Sequence, residues 1–546
     1  MMGSVDGSGE RRCAMAGTLI GCLVTLGCGN GTQAPSASAG GSSASAGATS
    51  GGSAGRASST GGTGTGGTSS NAGTTARGGT GAGNGTGGSG GAPSSGGSTS
   101  TSGGSGPAGG MPATGGTTAG GAGTASAAAG TGSGAGGSGA GTAGSGAGGA
   151  SGAGTGGTGT AGSGGMPLVY DKENTGSDCT VATSFPAFSA LTPIANLPDP
   201  FLSDSGTRIS KRDDWRCRRA EIGAQVQHWG SGPKGAPPPS VTATVSGGKL
   251  SVVVSQGGAS ITLSATLTLP SGAGPFPLII GMNTPTGSLP SSIFSGMATL
   301  TFDSSELVPD AFNVPRGAGT YFTMYPDNNA GAMIEWAWGV SRLIDGLYQT
   351  ADQTKIDLNH IGLTGCSYQG KMALYAGAFD ERIALTIPEE SGGGGEASWR
   401  FMSTQTGTED LDAAQGTAWY AANLLQFHDP DAPKLSYDQH ELVAMIAPRA
   451  VLAVENTAID RLGSQAGSVS MKAATEVYKA LGIPDRIGFT QAMASAHCSF
   501  PSSQTPDVQA FVNKFLLGKD ADTNIAKSSY DTDMSKWITW DTPELQ

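Results

Sequence analysis

Between Gly29 and Gly165 the chain runs for 137 residues, of which 54 are glycine and most of the rest Ser, Thr or Ala, with Arg56 and Arg77 as the only charges. Ordering a residue's backbone costs roughly 1–2 kcal/mol, and text this poor in branched aliphatics buries nothing to offset it. Residues 29–165 therefore read as a disordered linker, and any fold must come from residues 166–546. Those 381 residues carry 25 Lys/Arg against 39 Asp/Glu, a net charge of −14. No broad basic face is available for a phosphate backbone, which excludes nucleic-acid binding as the expected role. With no second linker inside it, the span reads as one large domain.

Residues 1–28 have the form of a signal peptide. Arg11-Arg12 precede an apolar run from Cys13 to Gly27, shorter than the roughly 20 residues a spanning helix needs. Leu19-Ile-Gly-Cys22 and Thr25-Leu-Gly-Cys28 both resemble a bacterial lipobox. Cys28 leaves the better apolar core and is preferred as the lipidation site, with simple cleavage as the alternative. The expected location is secreted or cell-surface, with the linker as a tether of ~65 Å root-mean-square reach and a lipid anchor as the sole link to a membrane. Cys179, Cys217, Cys366 and Cys498 fit two disulfides in an exported domain, with three connectivities open. No Cys/His cluster has metal-ligand spacing, so neither metal nor cofactor is expected.

Along residues 166–546 the pattern moves from β text to strand–helix alternation. Ser240-Val-Thr-Ala-Thr-Val-Ser and Lys249-Leu-Ser-Val-Val-Val-Ser alternate around Gly247-Gly248 as a hairpin, followed by Ile261 to Leu269 and the buried strand Phe276 to Gly281. Helices are expected over Ala332–Leu347, Lys371–Phe379, Met471–Leu481 and Val508–Leu517. Strands are expected over His360–Gly365, Ile383–Ile387, Ala450–Glu455 and Arg486–Gln491. This order implies an α/β three-layer sandwich with a mostly parallel central sheet and antiparallel N-terminal strands, whose ligands sit at the carboxyl ends of the strands.

Gly365-Cys-Ser-Tyr-Gln-Gly-Lys371 lies between a strand and a helix, where a hydrolase exposes a nucleophilic serine on a sharp turn. It departs from G-x-S-x-G, with Gln369 at +2 and Gly370 one later, and a serine before a helix is also an ordinary N-cap. Five histidines could serve as its base: His228, His360, His428, His440 and His497. His497 follows the last expected strand, in the Ser, acid, His order of such enzymes; His360, His428 and His440 suit structural roles. Carboxylates end two strands, at Glu389-Glu390 and at Glu455 or Asp460, and spacing does not choose between them. A Cys366–Cys498 disulfide would clamp Ser367 to His497; the alternative links Cys179 or Cys217 to the site.

Thr364-Gly-Cys-Ser-Tyr-Gln-Gly-Lys371, Gly377 to Ser391 with its Pro-Glu-Glu-Ser, Trp399-Arg400, Ile446-Ala-Pro-Arg449, Glu455-Asn-Thr457 and His497 to Gln504 together resemble the glucuronoyl esterases of carbohydrate esterase family 15. These are α/β-hydrolases that cleave the ester between 4-O-methyl-D-glucuronate on xylan and lignin alcohols. The likeness runs from about Cys179 to about Lys519. It implies Ser367 as nucleophile, His497 as base and Glu390 as the acid, with Asp460 as alternative acid. It pairs Cys366 with Cys498 and leaves Cys179 with Cys217. It makes Lys371 a partner of the sugar hydroxyls, with Gln415 and Trp419 as further substrate-binding candidates. Two departures stand out. The family's Arg after the nucleophile is Tyr368, which leaves the Tyr368 backbone amide as the oxyanion donor, and the family's sugar-covering Trp is Arg461. Rival readings are another carbohydrate esterase or carboxylesterase on this scaffold, or a surface polysaccharide-binding protein. The molecule is expected to act as a monomer on glucuronoxylan or a lignin–carbohydrate ester.

Overall fold

Ten strands make one sheet in the computed structural model, which describes residues 166–309 and 312–546. The expected signal peptide, Cys28 and the linker lie outside the described residues. The strands are β1 (Ser240–Ser246), β2 (Lys249–Gln256), β3 (Ala259–Thr268), β4 (Phe276–Met282), β5 (Ala298–Phe302), β6 (Ile356–Cys366), β7 (Leu385–Glu389), β8 (Ala450–Asn456), β9 (Ile487–Ala492) and β10 (Ala526–Lys527). Their order across the sheet is β1-β2-β3-β5-β4-β6-β7-β8-β9-β10.

The first three strands form an antiparallel meander. Gly247 and Gly248 turn β1 into β2 with φ of 56° and 75°, a left-handed pair that L side chains adopt poorly and that matches the twist of a two-residue hairpin. In β2, Leu250, Val252 and Val254 are buried on one face while Lys249, Ser251 and Val253 face outward or sideways. The change to parallel pairing comes at β5, antiparallel to β3 through Leu267 and Leu300 and parallel to β4 through Ile280 and Leu300. Sequence periodicity missed β5, whose five residues follow a Pro/Ser/Gly-rich turn. It also began β6 at His360, whereas the strand starts at Ile356. Asp357 and Asn359, residue types depleted in strands, occupy this first part, and the pairing with β4 slips between Phe276 and Leu278.

The parallel strands send alternate side chains to two cores, which is what a sheet covered on both faces requires. Leu278, Ile280 and Met282 of β4 join a core with Trp336, Leu363, Met372 and Leu442, while Ile279 joins Leu385, Ile387, Leu452, Val508 and Phe511 on the other face. The first layer holds α1 (Asp214–Gln225), α2 (Ala332–Gln349), α3 (Tyr368–Phe379), α4 (Gln439–Ala444) and α5 (Ser464–Ala480); the second holds α6 (Thr505–Phe515). This is the helix–sheet–helix sandwich expected for an α/β-hydrolase. Register sets the site: Cys366 lies beside Glu389, Glu389 beside Val454 and Glu455 beside Gln491, so the carboxyl ends of β6, β7, β8 and β9 form one line.

Candidate active site

Ser367 sits between β6 and α3 with φ 63° and ψ −131°, and its side chain makes no capping bond to the helix. That separates it from the ordinary N-cap reading. A non-glycine residue held there costs on the order of 1–3 kcal/mol, and such strain persists where the surroundings over-determine it. The surroundings do so here. The Ser367 amide donates to the Glu389 carbonyl of β7 at 2.9 Å, and the Ser367 carbonyl accepts from the Lys371 amide at 3.0 Å. The turn is closed by glycines on both sides. A Cβ at Gly365 would lie 2.6 Å from the Gln369 carbonyl oxygen, and one at Gly370 would lie 2.6 Å from that of Glu389. The departure from G-x-S-x-G thus keeps the close approach and moves it one residue along the helix. Tyr368 opens α3, where a backbone N–H has no intrahelical acceptor and favours negative charge.

Glu389 and Glu390 are neighbours with opposite assignments. Glu389 ends β7 and is fully buried; Glu390 takes a left-handed turn, φ 47°, and leaves the strand. The Oε2 atom of Glu390 accepts from His497 Nδ1 at 2.7 Å and from the Cys498 amide at 3.0 Å. The carboxylate is almost fully buried while the imidazole is 27% exposed. His497 Nε2 is buried with no hydrogen-bond partner among the described residues. Cys366 and Cys498 form a disulfide, Cα to Cα 5.9 Å, and their sulfurs lie within 4.8 Å of a Glu390 oxygen. Because the cysteines adjoin Ser367 and His497 in sequence, one bond fixes both segments. Cys179 pairs with Cys217.

The other histidines and acids stand elsewhere. His228 stacks on Phe185, His360 meets Asp357, His428 meets Asp412, and buried His440 bonds the Pro198 carbonyl. Asp460 is exposed at the start of a single turn, and the His497 bond goes to Glu390 instead. Glu455 is buried, and neither carboxylate oxygen has a partner among the described residues. Glu389 accepts from the Ser288 amide and hydroxyl and from Thr364 Oγ1 at 2.7 Å, tying the loop after β4 to β6 and β7. Burial pushes its carboxyl up to about 7.

Beyond Ser367 a polar cluster forms around a residue that sequence reading did not single out. Glu409 receives Lys371 Nζ at 2.8 Å on one oxygen and Arg461 on the other, and its amide donates to the Arg461 carbonyl at 2.7 Å. Lys371, buried in the first turns of α3, could have flagged a missing anion, since a buried ammonium needs a partner. Its Nζ also lies 5.1 Å from the Trp419 ring centroid. Trp419 is positioned by α2, whose first amides donate to the Ala418 and Trp419 carbonyls, and its buried Nε1 has no partner among the described residues. Glu409, Trp419 and Tyr420 line a cavity of about 170 Å³. The Gln415 amide nitrogen donates to the Leu411 and Phe427 carbonyls, which commits that nitrogen to the loop. The Tyr368 hydroxyl accepts from Asn283 and Gln369 at 3.3 and 3.4 Å.

A family profile described as "Glucuronyl esterase, fungi" matches residues 252–482. The 4-O-methyl-glucuronoyl methylesterase of Thermothelomyces thermophilus is 38% identical over 382 residues, 69% of this chain and 93% of that protein. That of Schizophyllum commune is 39% identical over 388 residues, 68% of this chain and 95% of that protein. Among solved structures, a Ser-to-Ala mutant of the glucuronoyl esterase from Sporotrichum thermophile, in complex with methyl 4-O-methyl-β-D-glucopyranuronate, superposes with a TM-score of 0.64 at 38% identity. It covers 67% of this chain and all of that one. The chain belongs to the glucuronoyl esterases of carbohydrate esterase family 15.

Proposed function

We propose that the domain spanning residues 166–546 hydrolyses esters of 4-O-methyl-D-glucuronate, as borne by glucuronoxylan and lignin alcohols, through an acyl-enzyme on Ser367. The observation that carries this reading is the Glu390–His497 hydrogen bond, clamped by Cys366–Cys498 beside a strained, uncapped serine. As a member of its family the chain is a carboxylic ester hydrolase.

His497 Nε2 takes the Ser367 hydroxyl proton as Oγ attacks the ester carbonyl, and the oxyanion forms against the Tyr368 N–H. The tetrahedral intermediate collapses, and the alcohol leaves with the proton from Nε2. Water then gives a proton to His497 Nε2 and its oxygen to the acyl carbon, and as that second tetrahedral intermediate collapses Nε2 returns the proton to the departing Ser367 Oγ, releasing the uronic acid. Glu390 holds Nδ1–H, which fixes the tautomer with its acceptor at Nε2 and stabilises the transient imidazolium. Lys371 keeps donors for sugar hydroxyls beyond the one given to Glu409, and the Trp419 N–H is a further donor. Arg461 acts through Glu409 rather than as a lone cation.

The test is hydrolysis of methyl and benzyl D-glucuronate by the full chain beside Ser367→Ala, with 4-nitrophenyl acetate as control. Uronate-ester cleavage that disappears in the variant is expected. Cleavage of the acetate alone would move the assignment to a general carboxylesterase, a reading favoured by Tyr368 in place of an arginine. Cleavage of neither would favour a polysaccharide-binding role. Export follows as part of the same proposal: two disulfides suit an oxidising compartment, and a polymeric substrate lies outside the cell.

A further inference from the structure

Glu390 and the Cys366–Cys498 disulfide fix His497 and the residue after it. The chain before His497 has no comparable anchor in them. None of residues 492–503 is buried. Between the end of β9 at Ala492 and the base stand Met493, which is 75% exposed, and the small residues Ala494, Ser495 and Ala496. Apolar packing therefore does not set the approach to His497. A single hydrogen bond at Nδ1 leaves an imidazole free to pivot about that bond unless the backbone is held on both sides, and a pivoting ring carries Nε2 away from the Ser367 hydroxyl.

The missing anchor comes from β8. Asn456 is its last residue, is 1% exposed and pairs with Ala492. The Thr457 amide donates to the Ala492 carbonyl at 3.0 Å, and the β8–β9 pairing ends there. Past that point the Asn456 side chain takes over. Its Oδ1 accepts from the Ala494 amide at 2.9 Å, and its Nδ2 donates to the Ala496 carbonyl at 2.8 Å. The Ala458 amide also donates to Oδ1, at 3.0 Å, which ties the carboxamide to its own turn. A carboxamide offers the same acceptor oxygen and N–H donor as a peptide group. The side chain thus adds one more rung to the ladder, and that rung reaches the residue immediately before the base. Asn456 stands in Glu455-Asn-Thr457, a segment that carries part of the family resemblance and has no part in the mechanism derived above.

We propose that Asn456 is a positioning residue for the base: it holds the chain before His497 as Cys498 holds the chain after it, so that the imidazole presents Nε2 to Ser367 without pivoting on its bond to Glu390. It acts through His497 and touches no reacting atom. The proposal rests on Ser367 and His497 as nucleophile and base, and not on which acyl group the ester carries.

The full chain, Asn456→Asp and Asn456→Ala are compared in steady-state hydrolysis of methyl D-glucuronate and in inactivation by phenylmethanesulfonyl fluoride, which sulfonylates an activated serine and needs no sugar. Asn456→Asp keeps the shape and both bonds to Oδ1 but sets a carboxylate oxygen against the Ala496 carbonyl, whereas Asn456→Ala loses every side-chain bond. Misplacing a catalytic group by ~1 Å costs about 10²-fold. Asn456→Ala is therefore expected to lower kcat and the inactivation rate together by about 10²-fold and Asn456→Asp by about tenfold, with KM within about twofold in both, the pattern of a contact that matters only on the way to the transition state. Unfolding temperatures are measured alongside, and Asn456→Asp, which opens no cavity, carries the test if Asn456→Ala is unstable. Unchanged kcat and inactivation rate in Asn456→Asp overturn the proposal. So does a raised KM at unchanged kcat, which would give Asn456 to substrate binding. If the wild-type chain does not react with the sulfonyl fluoride, the assignment of Ser367 fails and the proposal with it, a result distinct from either.

Discussion

Glu390 holds His497 through a single oxygen that also takes the Cys498 amide. In Glu390→Gln the remaining oxygen can occupy that place, keeping both bonds and losing the charge that balances the imidazolium. In Glu390→Ala the geometry goes as well. Glu390→Ala is expected to lower kcat by about 10⁴, the scale seen when a triad acid is removed, and Glu390→Gln by less. Asp460→Ala, at an exposed position, is expected to stay within about twofold. Steady-state kinetics on methyl D-glucuronate decide it, and a loss at Asp460 matching that at Glu390 would transfer the role. Spacing alone named both acids without choosing between them, and the resemblance put Glu390 first with Asp460 as alternative. The structure adds a left-handed residue at 390 that brings Glu390 to His497, a backbone turn that Pro-Glu-Glu-Ser does not announce. His497 was legible from chain order. Glu409 was not, because its role depends on the 403–419 loop folding back on α3, a long-range contact without local periodicity.

At the scale of elements, the two disulfides offer a controlled comparison. Cys366–Cys498 closes 132 residues and Cys179–Cys217 closes 38. Chain entropy makes their losses similar, about 5 and about 4 kcal/mol. Their positions differ far more. The first joins the end of β6 to the segment bearing His497, while the second joins α1 to the chain that precedes it. Replacing either pair with alanines is expected to lower unfolding stability comparably in urea, while kcat falls severalfold or more only for Cys366/Cys498. Equal kinetic effects would show that the clamp is not what positions the base. The elements themselves were read to differing depth. Alternation revealed β1 to β3, and continuous apolar runs revealed β4 and β8, since strands buried on both faces are written that way. α5 begins at Ser464, two turns before the expected Met471, because Ser464, Ala466, Gly467 and Ser468 look polar or neutral in isolation yet are buried where small side chains are needed.

Taken over the whole molecule, buried carboxyls set the response to pH. Burial pushes Glu389, Glu396 and Glu441 each up to about 7 from an ordinary 4.5. Across that window the folded state holds more protons than the unfolded chain, so stability is full below about pH 4.5 and declines as pH rises through about 7. His440, pushed down to about 4 by burial, acts in the opposite sense between its folded value and the ordinary 6.5. Burial opposes the Asp380 shift, but Arg382 holds that carboxyl down to about 2, so it matters only in stronger acid. Burial also pushes Glu335 up to about 9 and Asp429 up to about 6, and five carboxyls against one imidazole predict a higher unfolding temperature near pH 5.5 than near pH 8, and a shallower decline in Glu396→Gln. A scan of unfolding temperature that rises over this range would refute the assignment. The sheet that carries Glu389 also holds Ser367 by its amide, bonded across to β7. Ser367 is therefore wired into the central ladder rather than carried on a loop that can open separately. Its amide is expected to exchange as slowly as those of the central strands, so that amide exchange at Ser367 reports opening of the sheet rather than of a loop.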